Sequence, residues 1–101
     1  MVLNAEIEEG LMSENVIWKY DLKLGVQVIP MPQFAKVLTA QEQRGAVRLW
    51  VFVDPTKPPE ARKFEVIGTG QTVDWWIGND RKYVATVQQG GYVWHVFEVR
   101  S

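Results

Sequence analysis

Arg44-Gly45-Ala46-Val47-Arg48-Leu49-Trp50-Val51-Phe52-Val53 is the stretch that decides the fold. From Ala46 onward, Val47, Leu49, Val51 and Val53 share one face of an extended chain, and Arg48, Trp50 and Phe52 share the other. A period of two marks a β-strand, because successive side chains point to opposite faces. The second face is itself partly apolar, so partial burial on both sides is expected. Arg44-Gly45 reads as a tight turn, which makes Ala35 to Gln43 the antiparallel partner.

The same pattern extends in both directions. In Val16 to Leu24, Val16, Trp18, Tyr20, Leu22 and Leu24 fall on one side and Lys19, Asp21 and Lys23 on the other, a strand with one buried face. Gly25 turns the chain into a short partner, Val26 to Ile29. Pro30-Met31-Pro32 cannot pair in the middle of a sheet, so it is expected at an edge or a crossover. After the stiff loop Asp54 to Glu60, a strand runs from Ala61 to Gly68 with Phe64 and Val66 on one face. Gly68-Thr69-Gly70-Gln71 breaks it, and Val73 to Lys82 is an irregular loop carrying Trp75-Trp76. Lys82 to Gln89 and Tyr92 to Val99 form a second hairpin on Gly90-Gly91. The fold class is all-β: a single small β-sandwich or partly open barrel of about seven antiparallel strands. Residues 1–14 read as an acidic lead, either disordered or a short helix on Leu3, Ile7 and Leu11, ahead of one β domain over 15–101.

Composition narrows the function classes. A chain of 101 residues supports one domain. Five tryptophans exceed what a small β-core hides, so one or two are expected to face a ligand, a partner or another copy of the chain. The formal net charge of −1 argues against tracking duplex nucleic acid, while a small anionic ligand needs only two or three placed donors. The chain has no cysteine, which excludes disulfides, thiolate metal sites and a cysteine nucleophile, and fits a reducing cytoplasm. Apolar runs are too short to span a membrane as a helix, and the acidic start lacks the basic region of a secretory signal.

Each candidate binding residue has a plain reading beside its functional one. Gly68-Thr69-Gly70 opens no helix, so it is not a dinucleotide fingerprint; it is either a phosphate-holding loop using free N–H groups and the Thr69 hydroxyl, or a sharp turn needing positive φ. Arg62 has the planar fork that suits phosphate, against a surface ion pair with Glu60; Arg48 and Arg81 are weaker examples of the same kind. Trp75 and Trp76 on a polar-flanked loop suit base stacking or a protein anchor, against a plug closing the sandwich; divergence of adjacent side chains predicts one ring in and one out. Tyr92 is a further stacking residue. His95 shares a face with Val93, Phe97 and Val99 and is read as an inward, hydrogen-bonded residue before a ligand or base. Gln41, Gln43 and Gln88 are expected to form an amide ladder, against reading base edges. There is no second histidine, and no Ser-His-Asp or metal-ligand spacing can be assembled around His95, so no catalytic residue, metal or cofactor is expected.

One resemblance rests on a combination of these residues. Ile17-Trp18-Lys19-Tyr20, Met31-Pro32, Gln41 with Gln43, Leu49-Trp50, Val53-Asp54-Pro55, Glu60 with Arg62, Gly68-Thr69-Gly70, Thr86-Val87-Gln88 and Trp94-His95-Val96-Phe97 resemble a family of small β-rich proteins of tailed bacteriophages and prophages. It covers residues 16–98; the acidic lead and the Trp75-Trp76 region match it least. The resemblance implies a non-enzymatic accessory protein of the host bacterial cytoplasm. One role it implies is a sponge that sequesters a nucleotide messenger of anti-phage immunity. Such a sponge is expected to be a homo-oligomer, with phosphates on Arg62 and the Thr69 loop and bases on Trp75 or Tyr92 between copies. The others are a protein-binding inhibitor of a host or defence protein, and a minor virion or assembly component.

Overall fold

The computed structural model describes residues 14–100. Among these residues the chain is all-β, with seven strands: β1 (Val16–Leu22), β2 (Gly25–Pro32), β3 (Lys36–Gln43), β4 (Ala46–Val53), β5 (Pro59–Gly68), β6 (Arg81–Gln89) and β7 (Tyr92–Val99). They form two antiparallel sheets, ordered β1-β4-β3 and β2-β5-β7-β6. The acidic lead, residues 1–14, lies outside the described residues except for Glu14. Among the described residues, no helix is long and apolar enough to cross a membrane.

The alternation in β4 places Val47, Leu49, Val51 and Val53 in the core, where they meet Phe64 and Val66 of β5 and Val96 of β7. Burying a side chain of this size contributes about 1.5–3 kcal/mol, so these residues dominate the cohesion of the two sheets. The β3–β4 hairpin turns on Arg44 (φ 53°) and Gly45 (φ 81°), the two positive values a type I′ turn requires. The Glu42 carboxylate accepts the Gly45 N–H at 2.5 Å. Pro30 and Pro32 lie within β2, at the edge of its sheet, where a missing N–H breaks no ladder.

Three sequence expectations are corrected. Val26 to Ile29 does not partner the strand before Gly25: β2 crosses to the other sheet and pairs with β5. The apolar side of β1 is not a buried face throughout: Leu22 is buried and Tyr20 packs against the core, but Val16 and Trp18 remain about 40% exposed and Leu24 lies beyond the strand, exposed. β1 is an edge strand, with a neighbouring strand on one side only. His95 does not point into the sandwich; its neighbours Trp94 and Val96 do, which leaves His95 and Phe97 on the outer face. Phe97 is nevertheless only 3% exposed, because the loop joining β5 to β6 folds back over that face and lays Trp75 against it, rings edge-on at 4.9 Å.

The turn between β2 and β3 carries backbone strain. Ala35 N–H bonds to the Pro32 carbonyl at 3.2 Å, and Phe34, at the third position, sits at φ 68° with 78% exposure. A side chain in this region costs about 1–2 kcal/mol, and glycine is the residue that avoids the cost. Phe34→Gly is expected to stabilise the fold by about 0.5–1 kcal/mol, the gain being reduced by the greater freedom of glycine in the unfolded chain. Thermal unfolding checks this; a lowered midpoint would show that the ring supports the fold.

Candidate functional site

β3 and β6 lie side by side along one flank of the sandwich without a hydrogen-bonded ladder between them. Each carries a bulge: Leu38 is the extra residue between Val37 and Thr39, and Val84 the extra residue between Tyr83 and Ala85. Bulges kink the strand and interrupt pairing, and they recur beside binding sites. Here both bulges border the same cleft, of about 410 Å³. Its apolar walls are Val37, Leu38 and Val84; its charged groups are Lys36, Lys82, Arg62 and Glu98. Three cations against one carboxylate leave the lining at +2, on a chain whose net charge is −1.

Arg62 reaches this cleft from the inner face of β5. Its Nε and Nη2 donate to the two oxygens of Glu98 at 2.5 and 3.2 Å, and its Nη1 donates to the Ala35 carbonyl at 2.9 Å. The ion-pair partner is therefore Glu98, not Glu60. The pair is largely enclosed, with side-chain exposures of 19% and 16%. The hydrogen bond to Glu98 raises the Arg62 pKa above the ordinary arginine value against the opposing effect of burial, so the guanidinium stays charged throughout the working pH range. Its fork is already occupied by a carboxylate, which leaves Lys36 and Lys82 as the groups in the cleft suited to meet a ligand anion.

The other expected residues fall into two further places. On the outer face, His95 Nε2 lies 2.7 Å from the Thr69 hydroxyl and Nδ1 lies 3.0 Å from the Tyr83 hydroxyl, which also bonds to Thr86. Thr69, Gly70, Trp75 and His95 thus belong to one region, with Tyr83 joining it to the cleft. The Gly68–Gln71 turn is the sharp turn of the plain reading: Gly70 sits at φ 90°, and Gln71 N–H bonds to the Gly68 carbonyl. Its N–H groups are largely engaged, Thr69 with the Val93 carbonyl and Gly68 with the Gln71 side chain. Gly68 packs closely on Trp94: a Cβ there would stand 3.0 Å from the ring, which would have to give way. Trp75 is the ring that turns in, between Phe97 and the Arg81 guanidinium 4.3 Å above it, and Trp76 turns out at 81% exposure.

The second place is the inner side of the β6–β7 end. Tyr92 stacks on Trp94 at 5.6 Å, Trp94 Nε1 donates to Gln89, and Gln89 donates to the Gly45 carbonyl of the other sheet. Tyr92 therefore lies on the opposite face from His95. Arg62 is likewise separated from Thr69 by seven residues of extended chain, roughly 23 Å. The structure does not bring Arg62, the Thr69 loop and Tyr92 into one site within a protomer. Arg81 is held by Glu65 and Asp80, and Arg48 by Asp21. Gln43 accepts from Lys19, while Gln41 and Gln88 stand exposed on different sheets, so the amide ladder does not form. Sequence reasoning missed Lys36, Lys82, Tyr83, Glu98 and Gln89. The bulges that gather the first three leave no local sequence mark, and Glu98 lies 36 positions from its partner.

The fold and this flank define a small β-sandwich protein with a basic, bulge-lined cleft. The chain belongs to the family described as a domain of unknown function (DUF7352), whose model matches residues 13–101. No curated protein and no solved structure matches it.

Proposed function

We propose that this protein binds, without turning over, a small phosphate-bearing ligand of the nucleotide class in the cleft between β3 and β6. The observation that carries this reading is the cleft itself, in which Lys36 and Lys82 accompany apolar walls in a space of about 410 Å³. Ligand pockets commonly hold about 300–1,000 Å³ and combine apolar walls with a few placed polar groups. The lysines meet phosphate, Leu38 and Val84 pack against the planar base, and the Arg62–Glu98 pair holds the floor. Together with the resemblance to phage proteins, the ligand is a nucleotide messenger of bacterial immunity, sequestered in the host cytoplasm.

Two details support binding over catalysis. The Thr69–His95–Tyr83 relay has a hydroxyl and a base but no carboxylate to stabilise an imidazolium, which the familiar serine triad supplies. The neighbouring turn also has its Gly68, Thr69 and Gln71 N–H groups already bonded, so they are not free to meet an oxyanion. Trp76 and Ile77, exposed side by side at 81% and 68%, favour a second reading as a protein-docking tip.

Calorimetric titration with mononucleotides and cyclic di- and trinucleotides tests the proposal. At least one is expected to bind, more weakly as salt rises, and Lys36→Ala with Lys82→Ala is expected to weaken it at least tenfold with an unchanged melting curve. Binding unaffected by the double variant would remove the cleft from the account. Silence across the panel with a co-purifying protein would favour the docking tip.

A further inference from the structure

Two sheets in this fold expose four edge strands, and three of them carry a device that discourages strand addition. β2 holds Pro30 and Pro32. β3 and β6 each hold a bulge and lie against one another. Prolines, bulges and covering elements are the means by which sheet edges are kept from pairing. Among the described residues β1 has none of these, all seven of its residues pairing with β4 in unbroken register with no proline; its guard is charge alone, Lys19 and Asp21. Its exposed side chains also include Val16, Ile17 and Trp18. Beside it, Trp18, Tyr20, Pro30, Pro32 and Pro59 line a shallow apolar groove between the β1 and β2 edges.

We propose that β1 pairs antiparallel with β1 of a second copy, joining two three-stranded sheets into one of six. The occupant is argued from charge. A two-fold axis normal to the sheet keeps each side chain on its own face, so only residues of like parity can stand opposite each other. An axis through Lys19 would set the two Lys19 side chains against each other. An axis through Tyr20 sets Lys19 of each copy opposite Asp21 of the other, twice, and Trp18 opposite Leu22 over the apolar groove. Directly opposed unlike charges favour a register and like charges oppose it. Asp21 takes Arg48 on one oxygen yet remains 72% exposed, and Lys19 lies along the Trp50 ring on the same outer face. Both side chains have a partner on their own sheet, Lys19 donating to Gln43 at 2.9 Å and Asp21 pairing with Arg48, and the second copy adds an unlike charge opposite each together with the apolar cover that β1 lacks.

The test is equilibrium ultracentrifugation of the full chain across a range of concentrations, with hydrogen exchange at β1. The parent is expected to be a dimer whose β1 amides lose protection on dilution. Lys19→Glu and Asp21→Lys each place like charges opposite one another and are expected to raise the dissociation constant tenfold or more. Mixed in equal amounts, the two variants are expected to form a heterodimer. One β1 strand then carries acidic side chains at both positions and the other carries basic ones, so both opposed pairs are of unlike charge. A parent that stays monomeric, whether its β1 amides exchange freely or are protected by its own chain, overturns the proposal. So does a dimer that both single variants leave intact.

Discussion

Arg62→Ala is expected to destabilise the protein by about 3 kcal/mol, a large share of the margin of a domain this size. The cost comes from what is left behind. Glu98 keeps its carboxylate in a site only 16% exposed, and the Ala35 carbonyl loses its donor. Breaking an enclosed ion pair from one side typically costs about 3–5 kcal/mol, and the residual solvent access here places the effect at the lower end. Removing both charges is a different matter. Arg62→Met with Glu98→Met is expected to lie closer to the parent than either single change, because no uncompensated charge remains. Denaturant unfolding of the four proteins measures the coupling, and additive effects would show that the pair carries no such role. Ligand binding cannot be read from Arg62→Ala alone, since the floor of the cleft changes with it.

Trp75→Ala is expected to cost about 2–3 kcal/mol, and Trp76→Ala to change stability by less than about 0.5 kcal/mol. The two residues are adjacent and chemically identical, so the contrast isolates their surroundings. Trp75 covers Phe97 and receives the Arg81 guanidinium on its face, a contact worth about 1–2 kcal/mol when partly shielded. Arg81 is held there by Glu65 and Asp80, so removing the ring also loosens an arginine only 14% exposed. Trp76 has 81% of its surface in solvent and little to lose. Equal melting temperatures for the two variants would mean that the β5–β6 loop does not cap the outer face.

These two cases also show where sequence stops informing structure. Alternation in β4 located the core because its apolar residues are central in their sheet, and the divergence of Trp75 and Trp76 followed from chain geometry. Alternation says which residues share a face but not what covers it. Val16 and Trp18 share the side of buried Leu22 yet stay exposed on an edge, whereas Phe97 shares the outer face with His95 yet is buried by a loop. The partner of Arg62 is not Glu60, two positions away, but Glu98 on another strand. The cleft was the least legible feature, since it depends on two bulges meeting across a seam between sheets, and Leu38 and Val84 look like ordinary strand residues until their register is known.

The central claim is that the β3–β6 cleft holds a nucleotide, and amide chemical-shift mapping of the labelled protein with cyclic di- and trinucleotides tests it most directly. The account predicts saturable shifts concentrated at Lys36, Leu38, Lys82 and Val84. Shifts confined to the segment from Thr69 to Ile77, or none with any nucleotide, would contradict it.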